Sequence, residues 1–388
     1  MRKLSDTLTR LAALAEARKG IADAASGGLL ADLQDFGTNP GALGAKVYVP
    51  EDLPAGAPLV VVLHGCTQNA AGYDAGSGWS HLAEQDGFAL LFPEQRRANN
   101  PNLCFNWFTP SDCRRDEGEA LSIRQMVANM VDTYGLDPRR IYITGLSAGG
   151  AMASVMLATY PEVFAGGAII GGLPYGSATN MPQAFDRMRG HGGPNEAQLS
   201  ALVSAASDHA GPWPTISVWH GSGDATVDPV NAAAIVGQWR TLHGVTAAPN
   251  REEIVDGYPR RVWTDAAGRD VIEEYSITGM GHGTPLATQG EDGFGKAGAY
   301  MLEAHISSTR HIARFWGLEK AAAKPARRAI PRQAVAVRAQ AEAPARQSTT
   351  PRLRRIPSRP AAAAPKPSQA SGVGKVIEDA LRAAGLMR

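Results

Sequence analysis

From Ala45 onward, short apolar runs alternate with longer stretches whose apolar residues recur every three or four positions. Lys46–Val49, Leu59–Leu63, Phe88–Phe92, Ile141–Thr144, Phe164–Ile170, Thr215–Trp219 and Ile272–Ile277 read as strands, and several are apolar throughout. Glu119–Tyr134 carries Leu121, Ile123, Met126, Val127, Met130 and Val131 on one helical stripe, stopped by Gly135-Leu136-Asp137-Pro138. Gly149–Thr159 reads as a second helix, of small and apolar residues. Continuous apolar strands alternating with helices predict an α/β domain over 41–318. Its central sheet is mostly parallel, with helices on both faces. Residues 173–213, richer in Gly, Pro and polar side chains, read as a cap or excursion over the sheet.

The ends depart from this pattern. Residues 1–40 form a lead-in in which Leu4, Leu8, Leu11 and Ala15 fall at helical spacing. Ala, Pro, Arg and Gln dominate 319–373, which predicts a disordered basic linker. In 374–388, Val376, Ile377, Ala380, Leu381, Ala384 and Met387 share one face of a short amphipathic helix. Charge divides the same way. The net +1 of the 388 residues hides 15 Lys/Arg against 3 Asp/Glu from Lys320 to Arg388, so the remainder is acidic. Such a tail suits a granule or another anionic surface. Without interleaved aromatics it does not predict specific nucleic-acid binding.

Asp6, Arg10, Glu16 and Arg18 interrupt the N-terminal apolar stretch, and no run reaches transmembrane length. The expectation is a cytoplasmic protein, storage-granule associated, with an extracellular one as the alternative. Three cysteines do not make a disulfide framework. Cys104 and Cys113 either pair across a short loop or stay reduced.

The chemistry starts at "YITGLSAGGA", where a strand ends on Ser147 between Gly145 and Gly149. Flanking glycines suit a serine held on a tight strand-to-helix bend, because side chains would collide there. A serine hydroxyl needs a base, and in sheets of this kind Asp/Glu and then His follow the serine on loops after later strands. After "TISVWHG" comes Asp224, and after "EEYSITG" comes His282 between two glycines. Asp224 is preferred to Asp228, which precedes Pro229 and reads as a turn or helix-cap residue. His64 and His220 each end a strand before Gly and read as loop buttresses, while His305 and His311 fall in a helix-like stretch. An oxyanion hole requires the backbone amide after the nucleophile, Ala148, and one after an early strand, which places Cys66 of "LHGC" there. No metal or organic cofactor is required by this chemistry.

Taken together, "LHGCTQNAAGYDAGSGW" (63–79), "NLCFNWF" (102–108), "GEALSI" (118–123), "GLSAGGAMASVMLATYPEVFAGGAIIGGLPYG" (145–176), "SVWHGSGDATVDP" (217–229) and "GMGHGTP" (279–285) resemble the polyhydroxybutyrate depolymerase family of esterases. That family is itself related to feruloyl and acetyl-xylan esterases. The resemblance spans roughly 40–317 and looks closest to intracellular short-chain-length members. It implies an α/β-hydrolase fold and a serine esterase with Ser147, Asp224 and His282 as triad and the Cys66 amide in the oxyanion hole. The implied substrate is a storage polyester, its oligomers or a small ester. Alternatives are a feruloyl or acetyl-xylan-type carboxylesterase, or a granule-bound scaffold whose hydrolase body is inert. Many secreted members carry Trp two residues after the histidine, where this chain has Thr284. Trp107, and less strongly Trp79 and Tyr175, are therefore candidates to line the cleft. Core packing is the competing reading for each.

Overall fold

The computed structural model describes residues 29–290 and 292–319. The helices expected in 1–28 and 374–388, and the linker between 320 and 373, lie outside the described residues. The centre of the main sheet is β3 (Leu59–Leu63), β4 (Ala89–Glu94), β5 (Ile141–Leu146), β6 (Gly166–Ile170), β7 (Thr215–Gly221) and β10 (Asp270–Ile277). These six pair in parallel. They are the strands with near-continuous apolar sequence, because parallel strands are covered on both faces. With β1 at Ala31–Asp32, β2 at Gly44–Tyr48, β8 at Arg251–Val255 and β9 at Tyr258–Thr264, ten strands of the described residues form one sheet in the order β1-β2-β4-β3-β5-β6-β7-β10-β9-β8.

Alternation within the strands sorts side chains between two cores. Leu59, Val61 and Leu63 join Met126, Val127 and Met130 of the helix Gly118–Tyr134, with Met152, Val155 and Met156 of the helix Ala148–Thr159. Val60 and Val62 face the opposite way, among Trp79, Leu82, Phe88, Trp219, Tyr275 and Trp316. Trp219 and Tyr275 are register partners on β7 and β10, and their rings stack at 3.8 Å. The helix Ala148–Thr159 is buried along its whole length, which accounts for its glycines, alanines and methionines.

Strand pairing extends the domain at both edges. β1 (Ala31–Asp32) pairs antiparallel with β2 (Gly44–Tyr48), and Leu30 and Ala31 are buried. The domain therefore begins about ten residues before position 41. At the other edge, β8 (Arg251–Val255) and β9 (Tyr258–Thr264) form an antiparallel hairpin beside β10. Its strands carry too many charges to read as core. Its turn, Asp256-Gly257, has both residues at positive φ, the geometry a two-residue hairpin favours. Arg260 bridges Glu253 and the fully buried Glu273, so the edge is charged and paired.

Residues 173–213 form the crossover from β6 to β7 and contain the helices Met181–Met188 and Glu196–Ser204. The crossover docks on the helix Val230–His243. There Gln238 accepts from the Tyr175 N–H and donates to the Tyr175 and Leu199 carbonyls.

Candidate active site

Ser147 occupies a bend with no residue to spare. β5 ends at Leu146, the next helix starts at Ala148, and Ser147 stands between them at φ 58°, ψ −119°. A non-glycine residue there costs on the order of 1–3 kcal/mol and persists only where its surroundings impose it. The surroundings do so. Ser147 N–H donates to Ile170 O at 2.9 Å, and Ser147 O accepts from Ala151 N–H at 2.8 Å. A Cβ at Gly145 would lie 2.4 Å from Gly149 C and O, and one at Gly149 would lie 2.5 Å from the carbonyl oxygens of Leu63 and His64. The glycine fence thus lets the helix start press against both β5 and the end of β3.

Asp224 and His282 sit on loops after the neighbouring strands β7 and β10. The loops are knit together. Gly223 N–H donates to Met280 O, Gly279 N–H to Ser222 Oγ, and Ser222 N–H to Ile277 O. A Cβ at Gly221 would come 2.3 Å from Met280 O. Asp224 Oδ1 accepts from the Thr226 and Val227 amides, and its Oδ2 accepts from His282 Nδ1 at 2.6 Å. Its position sorts the histidine's nitrogens: Nδ1 is spent on the carboxylate, which leaves Nε2 as the basic atom. His220 Nε2 donates to Val227 O at 2.9 Å and lies 3.4 Å from the same Oδ2. Burial alone would raise the Asp224 pKa. The hydrogen bonds from His220 and His282 outweigh it and hold the carboxyl far below the usual range. Asp228 instead accepts from the Val230 N–H at the start of a helix.

Gly171 joins the two halves of the site. It follows Ile170, which holds the Ser147 amide, and a Cβ on it would lie 3.3 Å from His282 Cε1 and Nδ1 and 3.6 Å from Asp224 Oδ2. Serine, histidine and aspartate therefore converge on one rim of the sheet, at the carboxyl ends of β5, β7 and β10.

The loop after β3 flanks the serine. Gly65 N–H donates to Gln68 Oε1, Thr67 N–H to Asn102 O and Gln68 N–H to Gly65 O. Among the described residues the Cys66 N–H between them has no acceptor. Ala148 opens its helix without a side-chain cap. Cys66 is joined by a disulfide to Cys104, and Cys113 is the buried free thiol. This corrects the Cys104–Cys113 pairing: Cys113 Sγ points to Asn106 O, while Cys104 is brought to Cys66 by a loop held to the residues after β3 through Gln95 N–H to His64 Nε2 and Thr67 N–H to Asn102 O.

The aromatic candidates separate. Trp79 is 1% exposed, stacked on Trp316 and edge-on to Phe88, so it is core and not a cleft residue. Trp107 is buried against Phe108, and Tyr175 is half-buried beside Gln238. Thr284 is buried with its hydroxyl on Tyr73, so no clamp arises from position 284. An aromatic does stand beside the imidazole: Tyr300, edge-to-face with His282 at 6.0 Å. Its carbonyl accepts from Thr284 N–H, and its own φ is 60°. No sequence signal marks Tyr300, since its neighbours form only the short strand β12 (Met301–Glu303), paired with β11 (Thr284–Leu286). His311 lies in a helix as expected, whereas His305 precedes it in an exposed loop. Among the described residues no helix is long and apolar enough to cross a membrane.

Comparison with known proteins identifies the family. The profile of the family described as Esterase PHB depolymerase matches residues 45–254. Poly(3-hydroxyalkanoate) depolymerase C of Paucimonas lemoignei is 48% identical over 291 residues, covering 74% of this chain and 70% of that protein. Feruloyl esterase B of Talaromyces funiculosus is 29% identical over 265 residues, covering 66% of this chain and 73% of that protein. Among solved structures, an acetyl xylan esterase from Aspergillus awamori superposes with a TM-score of 0.64 at 26% identity, covering 75% of this chain and all of that one. With its α/β-hydrolase sheet, this chain belongs to the PHB depolymerase family of esterases and is a carboxylic-ester hydrolase.

Proposed function

We propose that the protein hydrolyses the ester bonds of poly(3-hydroxybutyrate) or its oligomers through an acyl-enzyme on Ser147. His282 Nε2 takes the serine proton as Oγ attacks the carbonyl, then delivers it to the leaving alcohol. Asp224 orients the ring and stabilises its cationic form, and the amides of Cys66 and Ala148 receive the oxyanion. Water, activated by the same imidazole, attacks the acyl carbonyl and regenerates the serine. The observation that carries the chemistry is the 2.6 Å His282–Asp224 contact, packed on Gly171 beside the residue that holds the Ser147 amide.

The 48% identity to a poly(3-hydroxyalkanoate) depolymerase supports a polyester substrate. The likeness to an acetyl xylan esterase structure favours, as second reading, a carbohydrate esterase. The Cys66–Cys104 disulfide supports action in an oxidising compartment, and hence the extracellular alternative over the cytoplasm. A panel of native polyester granules, denatured polymer, hydroxybutyrate oligomers, feruloyl esters and acetylated xylan separates the readings. Turnover of polymer or oligomers is expected. Turnover confined to the carbohydrate esters would transfer the assignment to the second reading.

A further inference from the structure

Glu119 is the second residue of its helix and only 1% exposed, a carboxyl that the proposed chemistry does not use. Isolated buried charge is costly, so its partners matter. Gln95 Nε2 donates to Oε1 at 2.6 Å, Asn106 Nδ2 to the same oxygen at 2.8 Å, and Asn106 N–H to Oε2 at 2.9 Å. Its own N–H donates to Asp112 Oδ1 at 3.3 Å. Burial pushes the Glu119 pKa up, to about 8, against the pull of these donors.

All three donors belong to the ends of one strap, residues 95–106. Inside it Asn100 Oδ1 accepts from the Asn102 and Cys104 amides, and Asn100 Nδ2 donates to Asn106 Oδ1. Gln95 Nε2 also holds Cys104 O. The strap in turn grips the loop after β3 at three successive points. Gln95 N–H donates to His64 Nε2, Cys104 is bonded to Cys66, and Asn102 O accepts from Thr67 N–H. His64 Nδ1 closes the circuit on Gly65 O. The amides of Gly65, Thr67 and Gln68 are engaged, while among the described residues the Cys66 amide beside them has no acceptor.

We infer that Glu119 is a positioning residue for the oxyanion hole, acting through the 95–106 strap to aim the Cys66 N–H at the developing charge. This rests on the acyl-enzyme reading above. A Gln at 119 keeps the shape but turns an NH2 group toward donors, so the strap loses its base without losing its packing.

The test compares an oxygen ester with its matched thionoester on the full chain. An oxyanion hole spaced for oxygen discriminates against the larger, weakly accepting sulfur. Glu119→Gln is expected to lower kcat for the oxygen ester about tenfold or more, with KM within about twofold, and to compress the oxygen-to-sulfur rate ratio by a similar factor. Asn106→Ala, which removes one donor and spares the carboxyl group, is expected to shift both in the same direction by less, and it serves if Glu119→Gln does not fold. An unchanged ratio in a folded variant, whether or not kcat falls, would overturn the inference while leaving the esterase reading intact. Wild-type turnover that survived Ser147→Ala would overturn the reading itself and the inference with it.

Discussion

Gly171 and His282 are separated by less than the width of a methyl contact: a Cβ at 171 would lie 3.3 Å from two atoms of the imidazole. Gly171 also holds φ 51°, and its N–H donates to Trp219 O. Gly171→Ala is therefore strained by its backbone and crowds the ring against Asp224. It is expected to cost about 1–2 kcal/mol of stability and to lower kcat at least about tenfold. Thermal melts and steady-state kinetics check both, and a fully active variant would contradict the packing described.

Replacement of the nucleophile separates chemistry from strain. Ser147→Ala and Ser147→Gly are both expected to abolish ester hydrolysis. Glycine adopts φ 58° freely, so Ser147→Gly should be the more stable of the two by about 1 kcal/mol. Equal melting temperatures would argue that the bend is not strained.

Asp224 makes stability depend on acid. Its folded pKa lies below its unfolded value, so its contribution is present above the ordinary carboxylate pKa and is lost as pH falls toward the folded one. The stability gap between wild type and Asp224→Asn is expected to be widest above about pH 5 and to narrow below about pH 4. A gap independent of pH would mean that His220 and His282 do not stabilise the charged form. The same substitution should lower kcat by roughly 1,000-fold or more.

Thiol counting tests the cysteine pairing. In denaturant without reductant, one thiol per chain should react, and after reduction all three. Before unfolding, Cys113 should be nearly inert, because burial pushes its pKa well up. Three reactive thiols without reductant would remove the disulfide.

The central strands and the helices Gly118–Tyr134 and Ala148–Thr159 are legible because burial leaves an apolar record, as in Leu59–Leu63, whereas the helix Val230–His243, with Asn231, Gln238 and Arg240 among its apolar residues, is not. The same logic hid β8 and β9. On an exposed edge Arg251, Glu252, Glu253, Arg260 and Arg261 are the signature of a protected strand rather than of a loop, and Asp256-Gly257 was the available clue. The placement of Ser147, Asp224 and His282 at strand ends is readable because each follows an apolar run, after β5, β7 and β10. Partners created by three-dimensional return of the chain are not. Cys66 meets Cys104 across 38 residues, and Tyr300 reaches His282 only through the pairing of two three-residue strands. Trp79 belongs to the core, the competing reading, because an indole next to a glycine-rich motif looks the same in sequence in a cleft and in a core.

The in-register pairing of Gly221 with Ile277 has a mechanical consequence. Asp224 and His282 follow adjacent, hydrogen-bonded strands, so the sheet register itself sets their mutual distance. Ser147 stands two strands from β7, with β6 between them. The distance from Ser147 to that pair is instead set across β6, whose Ile170 and Gly171 touch both sides.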